Sequence, residues 1–276
     1  MTRRDEIAAA LGVDAAIDVD AEIERRLDFL DGAYSDSPGH VLVLGISGGV
    51  DSAMAGQLCQ RAARRRRDRG DRARFVAMRL PHGVQRDEAD AGSVLAAIAP
   101  DELLTVDIQP ATDATLGALG AAGLTFDGSA HQDLVAGNVR ARQRMVAQYA
   151  VANALGGLVV GTDHAAEAVM GFFTKYGDGA ADVLPLSGLT KRQVYALAHR
   201  LGVPDEVIAK PPTADLEILR PQRCDEDEFG ISYDAIDDYL EGRPTTADVS
   251  EVIERTYRRT AHKRGLPSAP SAGRRS

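Results

Sequence analysis

An α/β fold with a parallel sheet covered on both faces is predicted by three observations. Apolar runs of strand length recur along the 276-residue chain, helical patterns separate them, and a turn rich in glycine and serine directly follows the first run. Residues 41–46 form that first run; it is continuously apolar, as a strand buried on both faces must be. Met54, Leu58 and Ala62 then recur every four residues, which predicts a helix. Further strands are expected at 75–78, 103–108 and 157–161, with a long helix across 133–155. Ahead of the first strand, Ile23, Leu27 and Leu30 mark an amphipathic helix over 20–31.

Composition narrows the function classes. The formal net charge of −9 argues against a general nucleic-acid binder. The arginine-rich stretch 64–74 also holds two aspartates and a glycine, and is read as a solvated helix end. Two cysteines, Cys59 and Cys224, lie in no C-x-x-C pair, so a reduced, cytoplasmic setting is expected. No stretch approaches the roughly 18 consecutive apolar residues of a membrane span.

The turn reads GISGGVDS over residues 45–52. A strand, a loop of small residues and a helix bring backbone N–H groups and a helix N-terminus onto one anion. No lysine follows the glycines as in a P-loop, and there is no G-x-G-x-x-G. A tight turn would explain the glycines alone, but two hydroxyls and a carboxylate in the same turn are a rarer combination.

SGG-x-DS resembles the pyrophosphate-binding loop of the ATP pyrophosphatases. The stretches 161–193, 78–88, 137–149, 210–217, 230–242 and 260–264 extend the likeness to the ammonia-dependent NAD⁺ synthetases, over residues 23–264. The resemblance implies a doubly wound, five-stranded parallel sheet of the adenine-nucleotide α-hydrolase kind. It implies a single domain over 1–276 with flexible ends at 1–20 and 267–276, and a homodimer whose 133–155 and C-terminal helices meet at the interface. The implied reaction amidates deamido-NAD⁺ with ammonia through an acyl adenylate, consuming ATP and Mg²⁺.

By the same resemblance, ATP meets Gly45, Ile46, Ser47, Gly48, Gly49, Val50, Asp51, Ser52, Arg79, Gln85, Thr162, Lys191 and Thr213. Asp51 and Glu167 hold Mg²⁺, a cation that prefers carboxylate and phosphate oxygens. Read by itself, Glu167 is only a helix-surface carboxylate. Lys191 follows Thr190, a good N-cap; a lysine in a first helical turn opposes the helix dipole, so an anionic partner is expected there. Deamido-NAD⁺ is assigned Arg142, Lys175, Asp182, His262 and Lys263, with Tyr34, Tyr149 and Phe172 as aromatic walls for the nicotinate. Asp178 is assigned to ammonia. The chain departs from the family in Val50, where many relatives have glutamine, and in His82, where they have tyrosine; neither position is given a chemical role.

Two other functions compete with this reading. An adenylating enzyme of tRNA would carry a basic or zinc-bearing module, which is not seen. A nucleotide sensor without catalysis would not need Asp51 and Glu167 together. Glutamine as nitrogen donor would call for a second site, usually with a cysteine nucleophile on its own domain; Cys59 is read as core packing, and Cys224 sits among acids.

Overall fold

A computed structural model describes residues 2–83, 88–213, 219, 224–267 and 269. The chain begins with helices α1 (Arg3–Ala10) and α2 (Val19–Asp36) and enters strand β1 (Val41–Gly45). Helix α3 (Val50–Asp68) leads to β2 (Arg74–Arg79), and α4 (Glu88–Ile98) to β3 (Glu102–Thr105). Helices α5 (Gln109–Ala121) and α6 (Ser129–Leu155) return the chain to β4 (Leu158–Val159). Then come α7 (Ala165–Met170), α8 (Lys191–Leu201), α9 (Asp205–Ile208), α10 (Asp225–Phe229), α11 (Tyr233–Leu240), α12 (Ala247–Arg259) and α13 (Ala261–Arg264).

All strand pairs are parallel, in the order β3-β2-β1-β4. Winding reverses at β1: the chain runs outward to β2 and β3, then returns to β1's other side as β4. The alternation of side chains along a strand sorts the core into two layers. Leu42, Leu44 and Ile46 pack with α2, α3 and α8 on one face. Val41 and Val43 pack with Val76, Met78 and the α6 residue Ala152 on the other. A third cluster joins α1, α7, α11 and α12 through Ile7, Val169, Ile236 and Ile253.

Two expectations are corrected. The expected five-stranded sheet has four strands among the described residues. In the fifth place Val160 and Val183 make only a single parallel bridge. Pro185, two residues on, carries no N–H to extend that ladder. The first twenty residues are not a loose end throughout: α1 has a capping box from Thr2 and Asp5, buries Ile7, and is tied by Arg4 to the carbonyls of Gly242 and Arg243. The arginines of 64–74 bond neighbouring acids, Arg65 to Glu24 at 3.1 Å and Arg67 to Asp101 at 2.9 Å. Among the described residues, no helix is long and apolar enough to cross a membrane.

Candidate active site

The loop between β1 and α3 closes on its own hydroxyls. Ser52 Oγ accepts from the N–H of Ser47 at 3.2 Å, and Ser47 Oγ accepts from that of Gly49 at 3.2 Å. Gly48 turns the chain at a φ of 97°, where a side chain is strained, and its missing Cβ would lie 3.1 Å from the N of Ala91. The first-turn N–H groups of α3, which have no intrahelical acceptor, are thereby presented at the carboxyl end of the sheet beside the winding switch.

Beneath the loop lies a dense group of charges. Lys191 Nζ donates to both oxygens of Asp51 at 2.8 Å. Asp51 is an anionic partner of the kind the position of Lys191 calls for. The lysine is 1% exposed and its ammonium lies 5.1 Å from the centroid of Tyr233, a ring whose face stabilises a desolvated cation. Its backbone is fixed too. Thr190 and Gln193 form a capping box, and Asp237 accepts from the N–H groups of Lys191 at 3.0 Å and Arg192 at 2.7 Å. One turn into α7 stands Glu167, and before it His164, wholly buried; His164 Nε2 lies 3.6 Å from Asp51 and 3.7 Å from Glu167.

The electrostatics follow from burial with one cation and two acids. Burial raises the Asp51 carboxyl, but the Lys191 ammonium outweighs it and holds Asp51 below its ordinary range. Glu167, with burial and the Asp51 charge both against ionisation, is pushed well above its usual range. His164 is pushed down to about 3 by burial and by Lys191, so its imidazole is neutral. Asp51, His164 and Glu167 offer ligand atoms that all lie within 4.8 Å of one another. Their donor set and the ammonium seated against Asp51 both suit a divalent cation.

A cavity of ≈ 820 Å³ opens from this floor. Gly45, Ile46, Ser47, Gly49, Val50, Asp51, Ser52, Arg79, Thr162, Glu167, Phe172, Asp178, Thr213 and Lys263 all line it. Arg79 donates to the Ile46 carbonyl at 2.7 Å, bracing the loop. Asp178 accepts from the N–H of Thr174 at 3.0 Å; enclosure by the protein raises its pKa, against that hydrogen bond. Lys263 donates to the carbonyls of Gly171 and Phe173 at 2.9 and 2.8 Å. At the rim, Lys175 donates to the His262 carbonyl at 2.6 Å and Arg142 to that of Lys175 at 3.2 Å.

Residues 22–267 match the NAD synthase family. The NH(3)-dependent NAD(+) synthetase of Streptomyces coelicolor is 59% identical over 96% of each chain. The chain belongs to the NAD synthase family. The crystal structure of NAD⁺ synthetase from Burkholderia pseudomallei is similar at 55% identity, with a TM-score of 0.83, covering 96% of this chain and 97% of that one. A structure of NMN synthetase from Francisella tularensis matches at 34% identity and a TM-score of 0.81, covering 93% of this chain and all of that one.

Not every site residue expected of an NAD synthase family member comes to the cavity. Tyr34 is a correction: it is 0% exposed, and its hydroxyl donates to the Cys59 carbonyl at 3.1 Å inside the α2–α3 core. Its helical spacing from Leu30 and Leu27 already placed it on the buried face. Tyr149 and Asp182 contact each other at 3.4 Å away from the cavity lining, and Asp182 also accepts from the N–H of Val159 at 2.7 Å. Gly48 supports the loop from behind, and Lys191 lies under the floor. Arg142, Lys175 and His262 do not line the cavity; each is the chain neighbour of a lining residue, Ala141, Thr174 or Lys263, and they form its rim only in that sense. Gln85 falls outside the described residues. His164 was missed; its signal is a histidine three residues before Glu167 and directly ahead of a buried apolar helix.

Proposed function

We propose that this chain amidates deamido-NAD⁺ with ammonia at the expense of ATP, giving NAD⁺, AMP and pyrophosphate. The observation that carries this reading is one cavity lined both by the phosphate loop with Asp51 and Glu167 and by the Phe172, Asp178 and Lys263 wall. Family membership and the near-full-length likeness to synthetases named as NH(3)-dependent support it.

The loop 45–52 and Lys191 are read as the seat of the ATP phosphates, with Arg79, Thr162, Thr213 and Gln85 around the rest of the nucleotide. A nicotinate carboxylate oxygen attacks the α-phosphorus, the bond to the β-phosphate oxygen breaks, and pyrophosphate leaves. The acyl adenylate has a better leaving group than the free carboxylate. Ammonia then attacks the acyl carbon, the C–O bond to AMP breaks, and nitrogen loses a proton. Asp178 is assigned to orienting the ammonia and accepting that proton. Burial raises its pKa, which strengthens the carboxylate as a proton acceptor. Mg²⁺ held by Asp51 and Glu167 supplies neutralisation of phosphate charge when bound. The protein otherwise contributes position and excludes water.

Arg142, Lys175, His262 and Lys263 are read as the anchor of the dinucleotide, with Phe172 against the nicotinate. Tyr149 and Asp182, turned away from this cavity, suit a site completed by a second subunit. Exposed Leu134 and Val146 on α6, 51% and 53% accessible, support a homodimer through that helix. Direct use of ammonia fits Cys59, which is fully buried in the core and out of reach as a nucleophile.

The test is product formation by purified protein with ATP and Mg²⁺, offering deamido-NAD⁺ or nicotinate mononucleotide, and ammonium or glutamine. NAD⁺ formed from the dinucleotide with ammonium is expected. Preference for the mononucleotide, or glutamine use abolished in a Cys59→Ser, Cys224→Ser double variant, would overturn the reading.

A further inference from the structure

We infer that Asn138 and Thr174 are positioning residues for the amidation step: Asn138, on α6, fixes the turn 174–178 so that Asp178 meets the incoming nitrogen. The inference rests on the proposed reaction and on Asp178 as its proton acceptor. Thr174 is buried, and its N–H donates to Asp178 Oδ1 at 3.0 Å. Its hydroxyl donates to Asn138 Oδ1 at 2.8 Å, and Asn138 Nδ2 donates in turn to the Leu134 carbonyl at 3.1 Å, one turn back along α6. Three hydrogen bonds therefore connect the backbone of a 27-residue helix to the carboxylate. Asn138, Thr174 and Asp178 all line the cavity.

The turn is built around Thr174. The Thr174 carbonyl accepts from the N–H groups of Gly177 at 2.8 Å and Gly179 at 3.3 Å, folding the segment back on itself. A Cβ on Gly177 would lie 2.9 Å from that of Thr174 and 3.0 Å from that of Ala141, so the turn is pressed against α6 three residues from Asn138. Tyr176 stands at a φ of 61°, a conformation that a residue other than glycine keeps only where its surroundings fix it. Lys263 holds the preceding residues through the carbonyls of Gly171 and Phe173. Asp178 is thus aimed by side-chain anchors rather than by a helix or strand of its own. A base must lie within hydrogen-bond reach of the proton it takes, and small misplacements are costly. Burial raises the Asp178 carboxyl, while the N–H and hydroxyl of Thr174 favour its charged form, so Thr174 also sets how readily it takes a proton.

The experiment is rapid-quench kinetics of the full chain with ATP, Mg²⁺, deamido-NAD⁺ and saturating ammonium. Pyrophosphate and NAD⁺ are timed separately in wild type, Thr174→Val, Thr174→Ser and Asn138→Ala. Thr174→Val keeps the backbone N–H and removes only the hydroxyl. NAD⁺ formation is expected to slow about tenfold or more in Thr174→Val and Asn138→Ala, while the first turnover of pyrophosphate stays within about twofold of wild type. Thr174→Ser, which keeps the hydroxyl, should restore amidation. At equal free ammonia, the rise of the amidation rate with pH should move to higher pH in Thr174→Val, because the carboxylate has lost a donor to its charged form. Equal slowing of both products, or an unmoved pH profile, overturns the inference and leaves the two residues a structural role. A raised KM for deamido-NAD⁺ with both steps unchanged overturns it too, by placing them in binding. If Thr174→Val does not fold, the half-buried Asn138→Ala decides by the same division between the two products. A wild type that releases no pyrophosphate on deamido-NAD⁺ removes the proposed function and this inference together, whereas a competent wild type with an undivided loss in the variants removes this inference alone.

Discussion

At the floor of the cavity Lys191 meets the Asp51 carboxylate at 2.8 Å, whereas at the rim Arg142, Lys175 and Lys263 hydrogen-bond to peptide carbonyls and, for the two lysines, lie over aromatic rings. The difference is one of charge balance. The floor neutralises itself inside one chain, buried and rigid, with Asp237 fixing the start of α8. Carbonyls orient the rim cations without cancelling their charge; among the described residues no carboxylate lies within salt-bridge distance of the three, and only Lys263 feels a nearby acid, Asp178. Such a rim keeps its attraction for a phosphate-bearing ligand and feels salt, while buried floor charges are screened far less. On the proposed function, the floor is a preformed centre for chemistry and the rim a positive edge for capture.

Substitutions at the floor should have the largest effects. Asp51→Asn is expected to lower turnover by roughly 100-fold or more, as losing a preorganised electrostatic group does. Circular dichroism should show the fold retained. Wild-type turnover at limiting Mg²⁺ would remove Asp51 from the centre. Gly48→Val places a branched side chain at a φ of 97° with its Cβ 3.1 Å from Ala91 N. It should abolish measurable ATP binding by calorimetry and cost roughly 1–2 kcal/mol of stability; an unchanged ATP affinity would show that the loop is only a turn.

Rim substitutions should act more mildly and on another parameter. Arg142→Met should raise KM for deamido-NAD⁺ about tenfold, or ~1.4 kcal/mol, with kcat and the KM for ATP little changed. That KM should also rise with ionic strength in the wild type and less steeply in the variant. An equal loss in kcat would place Arg142 in the chemistry and break the division between floor and rim.

The floor was largely legible in the sequence because its key parts are local. The apolar run 41–46, the glycine turn and the following helical period fix where Asp51 stands, and Thr190 before Lys191 marks a helix start whose lysine needs an anion. That Asp51 and Lys191, 140 residues apart, serve one site came only from the family resemblance, and their direct ion pair carries no sequence signal. His164 stayed hidden because one histidine beside an apolar helix carries no pattern. The sheet lost its fifth strand to Pro185, whose missing N–H outweighed the apolar residues around Val183. Tyr34 failed because an aromatic residue on a helix face that buries Leu27 and Leu30 belongs to the core first.

The smallest expected effect concerns the ground between floor and Asp178. Asp163 is pushed up to about 7 by burial and by the Asp178 charge, from an ordinary 3.8. The folded chain therefore holds an extra proton between about 4 and 7, and this contribution to stability falls as pH rises through that window. Thermal midpoints against pH should be flatter there for Asp163→Asn than for wild type; parallel curves would contradict it.

The central claim is that the floor performs adenylation on a substrate carboxylate delivered from the rim. Its most direct measurement uses deamido-NAD⁺ carrying ¹⁸O in the nicotinate carboxylate, with ATP, Mg²⁺ and ammonium, and mass analysis of the products. Attack of that carboxylate on the α-phosphorus and later cleavage of the acyl–oxygen bond predict AMP with one ¹⁸O and pyrophosphate with none. ¹⁸O found in pyrophosphate or orthophosphate, or unlabelled AMP alongside formed NAD⁺, would contradict the account.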